Sequence, residues 1–278
     1  MLIFGLDFTS APNRRKPITV ARCELDGARL RVQSCLSLFD FAAFEAFLWL
    51  DGPWLAACDF PFGQPLKLIN NLGWPQSWEG YVQLVSTMSK ADFVDTIIRY
   101  CATRPSGDKL HARVTDLLAG AISPMMLYRI PVGKMFFEGA TRLLASDVNI
   151  LPCRPKSSSK TVLEGYPALV ARRWLGRRSY KSDDRQKQTS AQLLARQDLL
   201  AALQSDALML AYGIQLDLSA ELGEELVSDP MGDRLDAVLC AIQAAWAYNW
   251  RVNNDAIPAG HELEGWIVDS GSRSASQA

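Results

Sequence analysis

The opening stretch MLIFGLDF, residues 1–8, decides the fold, because it has the pattern of a buried strand with one charged residue, Asp7. Side chains alternate between the two faces of a strand, so Ile3 and Gly5 share the face of Asp7 and apolar residues fill the other face. Both faces are therefore predicted to be buried. An ionised carboxylate there is costly unless it is hydrogen-bonded, paired or bound to a metal ion. The structural alternative is an Asp7 that caps the turn at 8–10.

The segments after this strand predict an α/β fold with a mixed central sheet. Residues 17–23 and 29–35 have strand patterns on either side of a turn at 26–27, which predicts an antiparallel meander. A short helix is predicted over 39–48, and the apolar run 54–59 returns as a fourth strand. Three strands, a helix and a further strand favour a mixed sheet flanked by helices.

The rest of the chain is predicted to add a helical insertion and to complete the core. Residues 64–145 carry helical patterns and lack strand periodicity, whereas 160–164 predicts another strand and 230–250 a long final helix. The predicted organisation is a core of 1–63 and 146–269, a mostly helical insertion of 64–145 and a disordered polar tail of 270–278.

Two further carboxylates end apolar strands in the same way as Asp7. Asp59 follows the apolar run 54–58, and Glu164 ends the strand predicted over 160–164. If these strands are parallel, their carboxyl ends meet at one edge of the sheet, where open α/β sheets bind ligands. We therefore expect the three carboxylates to lie near one another.

The final helix opens with two more acids, Asp233 and Asp236, on a face that otherwise carries Ala and Cys. Acids in a first turn interact favourably with the helix dipole, which accounts for Asp233 more readily than for Asp236. Converging carboxylates repel one another, and hard divalent cations with oxygen ligands are the usual remedy. The predicted cofactor is Mg²⁺ or Mn²⁺, which supports phosphoryl transfer.

The charge is unevenly distributed, although the chain has a net charge of only −1. Residues 151–188 contain ten Lys or Arg and three acidic residues, a local charge of +7. Such a run is usually a solvated face, but it can also attract phosphate groups. The residues predicted to contact phosphates are Arg172, Arg173, Arg177, Arg178 and Lys181.

The amino-acid composition limits the classes of protein to which this chain can belong. With 278 residues, 49% of them hydrophobic and 21% charged, the chain can bury a sizeable core. The longest apolar runs are shorter than the roughly 18–20 residues that cross a bilayer, which predicts a cytoplasmic protein without a membrane partner. The six scattered cysteines argue against zinc and structural disulfides. The only histidines are His111, predicted to be partly exposed, and His261, so acid–base chemistry is expected mainly from carboxylates.

The order of these features resembles the ribonuclease H-like superfamily, with acids on the first strand, the fourth strand and a late helix. The segments 5–9, 59–63, 164–167 and 233–237 look more specifically like motifs of the domain-of-unknown-function 429 family. That family is assigned a ribonuclease H-like fold and is a predicted nuclease. The resemblance therefore implies a metal-dependent phosphodiesterase that acts on nucleic acid, a nucleotide or a related phosphoester by a two-metal carboxylate mechanism.

The resemblance also implies roles for particular residues. Asp7 matches the acid that bridges two metals, Asp59 matches a ligand of one metal, and Asp236 completes the site with Asp233 as a resolvase-like partner. Glu164 matches a motif of the unknown-function family, and we expect it either to orient a water or to bind metal. The implied metal ligands are thus Asp7, Asp59, Asp233 and Asp236, and the implied catalytic residues are Asp7, Asp59, Glu164 and Asp236.

Two other classes of function stay open. The segment 5–10 also resembles the first phosphate loop of sugar kinases and actin-like ATPases, but we find no second Asp-x-Gly loop or Gly-rich nucleotide cradle. A noncatalytic binding or scaffold protein could keep this fold while its acids act as caps and buried hydrogen-bond partners. Trp74 and Trp78 in the insertion are expected to pack in the core rather than to stack on bases.

Overall fold

A seven-stranded mixed sheet forms the centre of the computed structural model, which describes residues 1–251 and 257–273. The strand order is β5-β6-β4-β1-β2-β3-β7. This sheet and its flanking helices confirm the predicted α/β class. The strands are β1 (Leu2–Asp7), β2 (Ile18–Asp26), β3 (Arg29–Leu38), β4 (Trp54–Asp59), β5 (Asn149–Ile150), β6 (Lys160–Glu164) and β7 (Gln215–Asp217).

The pairing pattern brings three strand ends to one edge of the sheet. β1, β2 and β3 pair antiparallel in sequence order, as the meander predicts. β4 is parallel to β1, and β6 is parallel to β4. The carboxyl ends of β1, β4 and β6 therefore lie side by side, as we expected from the strand-end acids.

Helices cover both faces of the sheet. We call the side of the last five helices the α11 face and the side that carries α1 to α4 and α6 the insertion face. The helices are α1 (Phe41–Leu48), α2 (Leu66–Asn71), α3 (Trp78–Ser86), α4 (Lys90–Ala102), α5 (Val114–Ala119), α6 (Val132–Ala145), α7 (Pro167–Leu175), α8 (Ser190–Leu203), α9 (Asp206–Tyr212), α10 (Ala220–Ser228) and α11 (Asp233–Arg251).

The central strand β1 is buried on both faces, because its alternating side chains enter two separate cores. Ile3 packs in the core of the α11 face, and Phe4 and Leu6 pack in the core of the insertion face. Gly5 lies so close to α11 that a Cβ atom would fall 2.0 Å from the Ala237 carbonyl oxygen. Only glycine permits this approach of helix and strand.

The insertion contributes to the same core as the sheet rather than packing separately. Trp74 and Trp78 are buried there, and the indole Nε1 of Trp78 donates to the Phe62 carbonyl at 2.6 Å. Core packing of both tryptophans is thus confirmed. The prediction of a partly exposed His111 was wrong: its ring is buried, with Nε2 2.6 Å from the Tyr100 hydroxyl.

Several local boundaries differ from the prediction. β7, α9 and α10 were not predicted, since each is short and lies between stronger helical patterns. The final helix begins at Asp233 rather than 230, after Gly232 with φ +72. Within the predicted tail, Ser270–Arg273 form a short 3₁₀ helix, and 274–278 lie outside the described residues. None of the helices that the structure describes is long and apolar enough to cross a membrane.

Candidate active site

Two aspartates lie next to each other at the ends of adjacent parallel strands. Asp7 of β1 and Asp59 of β4 are register partners, and neighbouring strands are about 4.8 Å apart. The alternation of side chains places both on the face of Ile3, which is the α11 face. Asp7 is almost completely buried, and Asp59 is partly buried.

The first turn of α11 supplies the other two acids. Asp233 and Asp236 are both buried, with exposures of 5% and 0%. Their charges raise the pKa of Asp7, and the charge of Asp236 also raises that of Asp59. We refer to Asp7, Asp59, Asp233 and Asp236 as the acid cluster. The structure thus brings together the four acids that the sequence nominated as metal ligands.

Two lysines that the sequence analysis did not associate with these acids are part of the same site. Lys16, from the loop between β1 and β2, bonds Asp233 Oδ1 at 2.6 Å and Asp183 at 2.8 Å. Lys181, from the loop after α7, forms an ion pair with Asp236 Oδ2. Two lysine ammonium groups therefore offset part of the repulsion among these carboxylates, a role that the sequence analysis assigned to divalent cations alone.

The remaining oxygen of Asp236 is also engaged. The hydroxyl of the buried Tyr180 donates to Asp236 Oδ1, next to the bond from Lys181 to Oδ2. Burial, followed by the charge of Asp236, holds the pKa of Tyr180 well above its usual range. Tyr180 therefore stays a hydrogen-bond donor at neutral pH, and both Asp236 oxygens are satisfied.

The lysines themselves stay protonated. Burial alone would lower the pKa of Lys181, but the negative charge of Asp236 outweighs it and raises the pKa well above the usual value. For Lys16, the charges of Asp7 and Asp233 likewise outweigh burial and raise the pKa. Both ammonium groups are thus permanent cations near neutral pH.

Asp7 and Asp59 differ from the two helix acids, because neither forms an ion pair within the described part of the chain. Burial is the largest cause that raises the pKa of Asp7 well above its usual range. Burial also raises the pKa of Asp59, to about 7. Asp59 can therefore exchange a proton near neutral pH, which a general acid or base requires.

One carboxylate oxygen of Asp7 lacks, within the described residues, the hydrogen bond that a buried polar atom normally has. Its Oδ2 atom is buried and, within the described residues, has no hydrogen-bond partner. A buried carboxylate oxygen of this kind is costly and is rare in folded proteins. A hard cation would satisfy it, since carboxylate oxygens are preferred ligands of Mg²⁺ and Mn²⁺.

The fit of a metal ion to the whole acid cluster is only partial. Within the described residues, Asp7 and Asp59 form no ion pair, whereas Lys16 and Lys181 already bond Asp233 and Asp236. Within the described ranges, no group of three or more His, Cys, Asp or Glu side chains is arranged to hold a metal ion. A four-carboxylate ligand set would therefore require both lysines to move.

Glu164 is the predicted catalytic residue that does not join the cluster. It is the register partner of Cys58 rather than of Asp59, so it points to the insertion face. There Arg113 binds it through Nη1 at 2.8 Å, and the amide of Phe62 donates to it at 2.9 Å. Arg113 also pairs with Asp116 at 2.7 Å. These contacts indicate a structural rather than a catalytic role for Glu164.

The basic stretch makes mostly internal contacts. Arg173 pairs with Asp269 at 2.9 Å, and Arg178 pairs with Asp198 at 2.7 Å. Arg172 donates to the carbonyls of Ala119 and Gly120 and to the Tyr166 hydroxyl. Arg177 is exposed at the end of α7. Of the five predicted phosphate contacts, only Lys181 lies in the acid cluster.

A cavity of about 220 Å³ opens beside the cluster at the sheet edge. Its lining includes Asp59, Tyr180, Lys181 and the ion pair of Arg113 with Glu164. Residues of the segment 121–135 of the insertion, the start of α7, Phe60, Pro61 and Ile267 also line it. Of the four acids of the cluster, Asp59 is the one that lines this cavity.

Comparison with protein-family models, curated proteins and solved structures gives no significant match to this chain.

Proposed function

We propose that this chain is a metal-dependent phosphodiesterase, similar to nucleases, with a ribonuclease H-like fold. The observation that carries the proposal is the buried Oδ2 of Asp7, which has no hydrogen-bond partner among the described residues and lies beside Asp59 at the carboxyl ends of two parallel strands. The antiparallel β1-β2-β3 unit, followed by a helix and a strand parallel to β1, supports the ribonuclease H-like assignment. The substrate is a nucleic acid, a nucleotide or a related phosphoester.

Asp7 and Asp59 are the residues that would hold the first divalent cation, Mg²⁺ or Mn²⁺. When bound, such an ion supplies Lewis acidity and lowers the pKa of a water molecule. In the metal-free protein Asp59, whose pKa burial raises to about 7, holds or releases a proton close to the cavity. It would give up that proton to act as a metal ligand. Lys181 stabilises negative charge at the cavity wall, since an ammonium group has three donors and Asp236 uses one of them.

Asp233 and Asp236 would become metal ligands only after an exchange of partners. Lys16 would have to leave Asp233, and Lys181 would have to leave Asp236. Both lysines lie on loops rather than within helices or strands, and their side chains are 26% and 37% exposed. Each side chain therefore reaches solvent, and solvent would receive the displaced ammonium group.

The rival function is that of a noncatalytic binding or scaffold protein, and the two lysine pairs favour it. Lys16 and Lys181 neutralise Asp233 and Asp236 without any metal ion. On this hypothesis the cluster is a structural ion-pair network, and Asp7 is a destabilising residue without catalytic use. It predicts that metal ions neither bind the cluster nor support turnover.

The experiment that separates these functions is calorimetric titration of the wild type and Asp7→Asn with Mn²⁺ and Mg²⁺. A panel of DNA, RNA and nucleotide phosphoesters then tests for metal-dependent hydrolysis. We expect the wild type to bind Mn²⁺ and Asp7→Asn to lose most of that binding. Asp51→Asn, which changes an exposed acid away from the site, is the matched control.

Equal binding by the wild type and Asp7→Asn, or no binding by either, would rule out the proposed site. Metal binding without turnover on any substrate would support the proposed metal site and contradict the proposed phosphodiesterase activity. Thermal stabilisation by ATP, in contrast, would support the kinase-like alternative.

A further inference from the structure

The lining of the cavity beside the acid cluster combines polar and apolar side chains. Asp59, Tyr180 and Lys181 supply polar groups, and Arg113, Asp116 and Glu164 add a set of paired charges. We refer to the apolar lining residues Ile122, Ile130, Val132 and Met135 as the apolar wall. A ligand that fills the cavity would therefore meet both polar groups and hydrocarbon.

Few of the charged groups around the cavity are available to a ligand. Arg113 is 2% exposed and is shared between Glu164 and Asp116. Its guanidinium group therefore has no role in recognition. The groups that remain are the Asp59 carboxyl and the two Lys181 hydrogen-bond donors that Asp236 does not use.

The apolar wall remains accessible to solvent. Ile130 is 55% exposed, and Ile122, Val132 and Met135 are only half-buried. Arg129, next to Ile130, has a φ of +62, a left-handed conformation that residues other than glycine rarely adopt. Accessible apolar side chains that line a concave site with a few polar groups are typical of small-ligand pockets.

We propose that this cavity binds a phosphoester that carries one compact aromatic group, with its phosphate at the Lys181 ammonium group and its ring against Ile122 and Met135. This inference rests on the proposed function and specifies its substrate class. The volume of about 220 Å³ is below the roughly 300–1,000 Å³ of pockets for drug-sized ligands. The cavity therefore holds one ring and its phosphate rather than a stretch of nucleic acid.

The test compares phenyl phosphate with inorganic phosphate by calorimetry in metal-free buffer. We expect phenyl phosphate to bind the wild type about tenfold more tightly, which corresponds to about 1.4 kcal/mol. Ile122→Asp places a charge on the apolar wall and should remove this advantage. Ile98→Asp is the matched control, because Ile98 is 54% exposed on α4 and does not line the cavity.

Met135→Gln provides a second variant in case Ile122→Asp unfolds, and it should reduce the advantage of phenyl phosphate in the same direction. The inference is overturned by equal affinity for both ligands, by absence of phenyl phosphate binding, or by an equal loss in Ile98→Asp. Tight binding of a ten-residue oligothymidylate without binding of phenyl phosphate also overturns it. Because this titration requires neither metal nor turnover, its result is independent of whether metal-dependent hydrolysis is observed.

Discussion

Two groups of buried charged residues lie on opposite faces of the sheet, at the carboxyl ends of its parallel strands. The two groups differ in how fully their charges are paired and hydrogen-bonded. On the insertion face, Arg113 binds both Glu164 and Asp116, and the Phe62 amide also donates to Glu164. On the α11 face, Lys16 and Lys181 pair with only two of four acids, and one oxygen of Asp7 has no hydrogen-bond partner among the described residues.

The difference shows which of the two groups is built for stability. A buried charge network contributes to a stable fold only when its members are paired and hydrogen-bonded. The Arg113 group meets this condition through its ion pairs and hydrogen bonds, although burial raises the pKa of Glu164. In the acid cluster burial raises the pKa of Asp7 and of Asp59, and neither forms an ion pair within the described residues. Groups with strongly perturbed pKa values near a cavity are candidates for function.

The largest expected effect is the loss of stability caused by Arg113→Met, which breaks the ion pairs of Arg113 with Glu164 and Asp116. This change leaves Glu164 and Asp116 buried without their cation, which should cost about 3–5 kcal/mol and lower Tm on the order of 10 °C. Thermal and urea unfolding measure the effect. Arg99→Met is the control, because its pair with Asp95 is exposed and is worth about 0.3–0.5 kcal/mol. Equal losses in both variants would contradict a structural role for the Arg113 group.

Lys181→Met should make the acid cluster more dependent on an external cation. Loss of the partly exposed ammonium leaves Asp236 without its ion pair, so we expect a loss of stability of about 2 kcal/mol. Saturating Mn²⁺ should then raise Tm more in this variant than in the wild type. Lys187→Met, at an exposed pair with Asp184, should behave like the wild type. A smaller Mn²⁺ shift in Lys181→Met would show that the lysine does not compete with metal.

Asp7→Asn should stabilise the metal-free protein, although it removes a proposed ligand. The pKa of Asp7 is raised in the folded state, so ionisation at neutral pH opposes folding. Asparagine removes that charge, and we expect Tm to rise on the order of 2–4 °C. Differential scanning calorimetry at pH 7.5 compares it with Asp51→Asn, which should not change. A fall in Tm would instead indicate that Asp7 is a structural cap.

The last expected effect is a pH dependence of stability due to Asp59. Its folded-state pKa of about 7 lies above its ordinary value of 3.8, so the folded state binds an extra proton between these limits. The contribution of Asp59 to stability therefore falls as pH rises from about 4 to 7 and is constant above that. The difference in free energy of unfolding between the wild type and Asp59→Asn should follow this course. A difference that is independent of pH would contradict the raised pKa.

The sequence predicted the elements whose patterns are strong and local. Asp7, Asp59 and Asp236 each interrupt an apolar segment, and a charge in such a segment marks its position without reference to distant residues. The α/β class followed from the order of these segments. β7, α9 and α10 were missed, because each is short and depends on packing rather than on its own pattern.

The misplacement of Glu164 has a specific cause. A shift of one residue in strand register moves a side chain to the opposite face of a sheet. Glu164 pairs with Cys58 instead of Asp59, and no local pattern fixes that pairing. Its partner Arg113 lies in the insertion, 51 residues away along the chain.

The two lysines were missed for a similar reason. Lys16 and Lys181 lie on loops, and their contacts with Asp233 and Asp236 span 217 and 55 residues. The nearest available signal was Lys181 within the basic stretch, which we interpreted as a phosphate contact. Pairing between distant loops and a helix end is a property of the tertiary fold that sequence spacing does not encode.

The contact between Gly5 and α11 sets the dimensions of the acid cluster. A Cβ atom on residue 5 would also lie 2.2 Å from the Ala241 amide nitrogen, so any side chain there would push the helix away from β1. Asp7 is two residues further along the strand, and Asp236 precedes Ala237 on the helix. The absence of a side chain at Gly5 thus sets the distance between the strand acid Asp7 and the helix acid Asp236. A substitution at this one position would alter the geometry of the site without changing any of its charges.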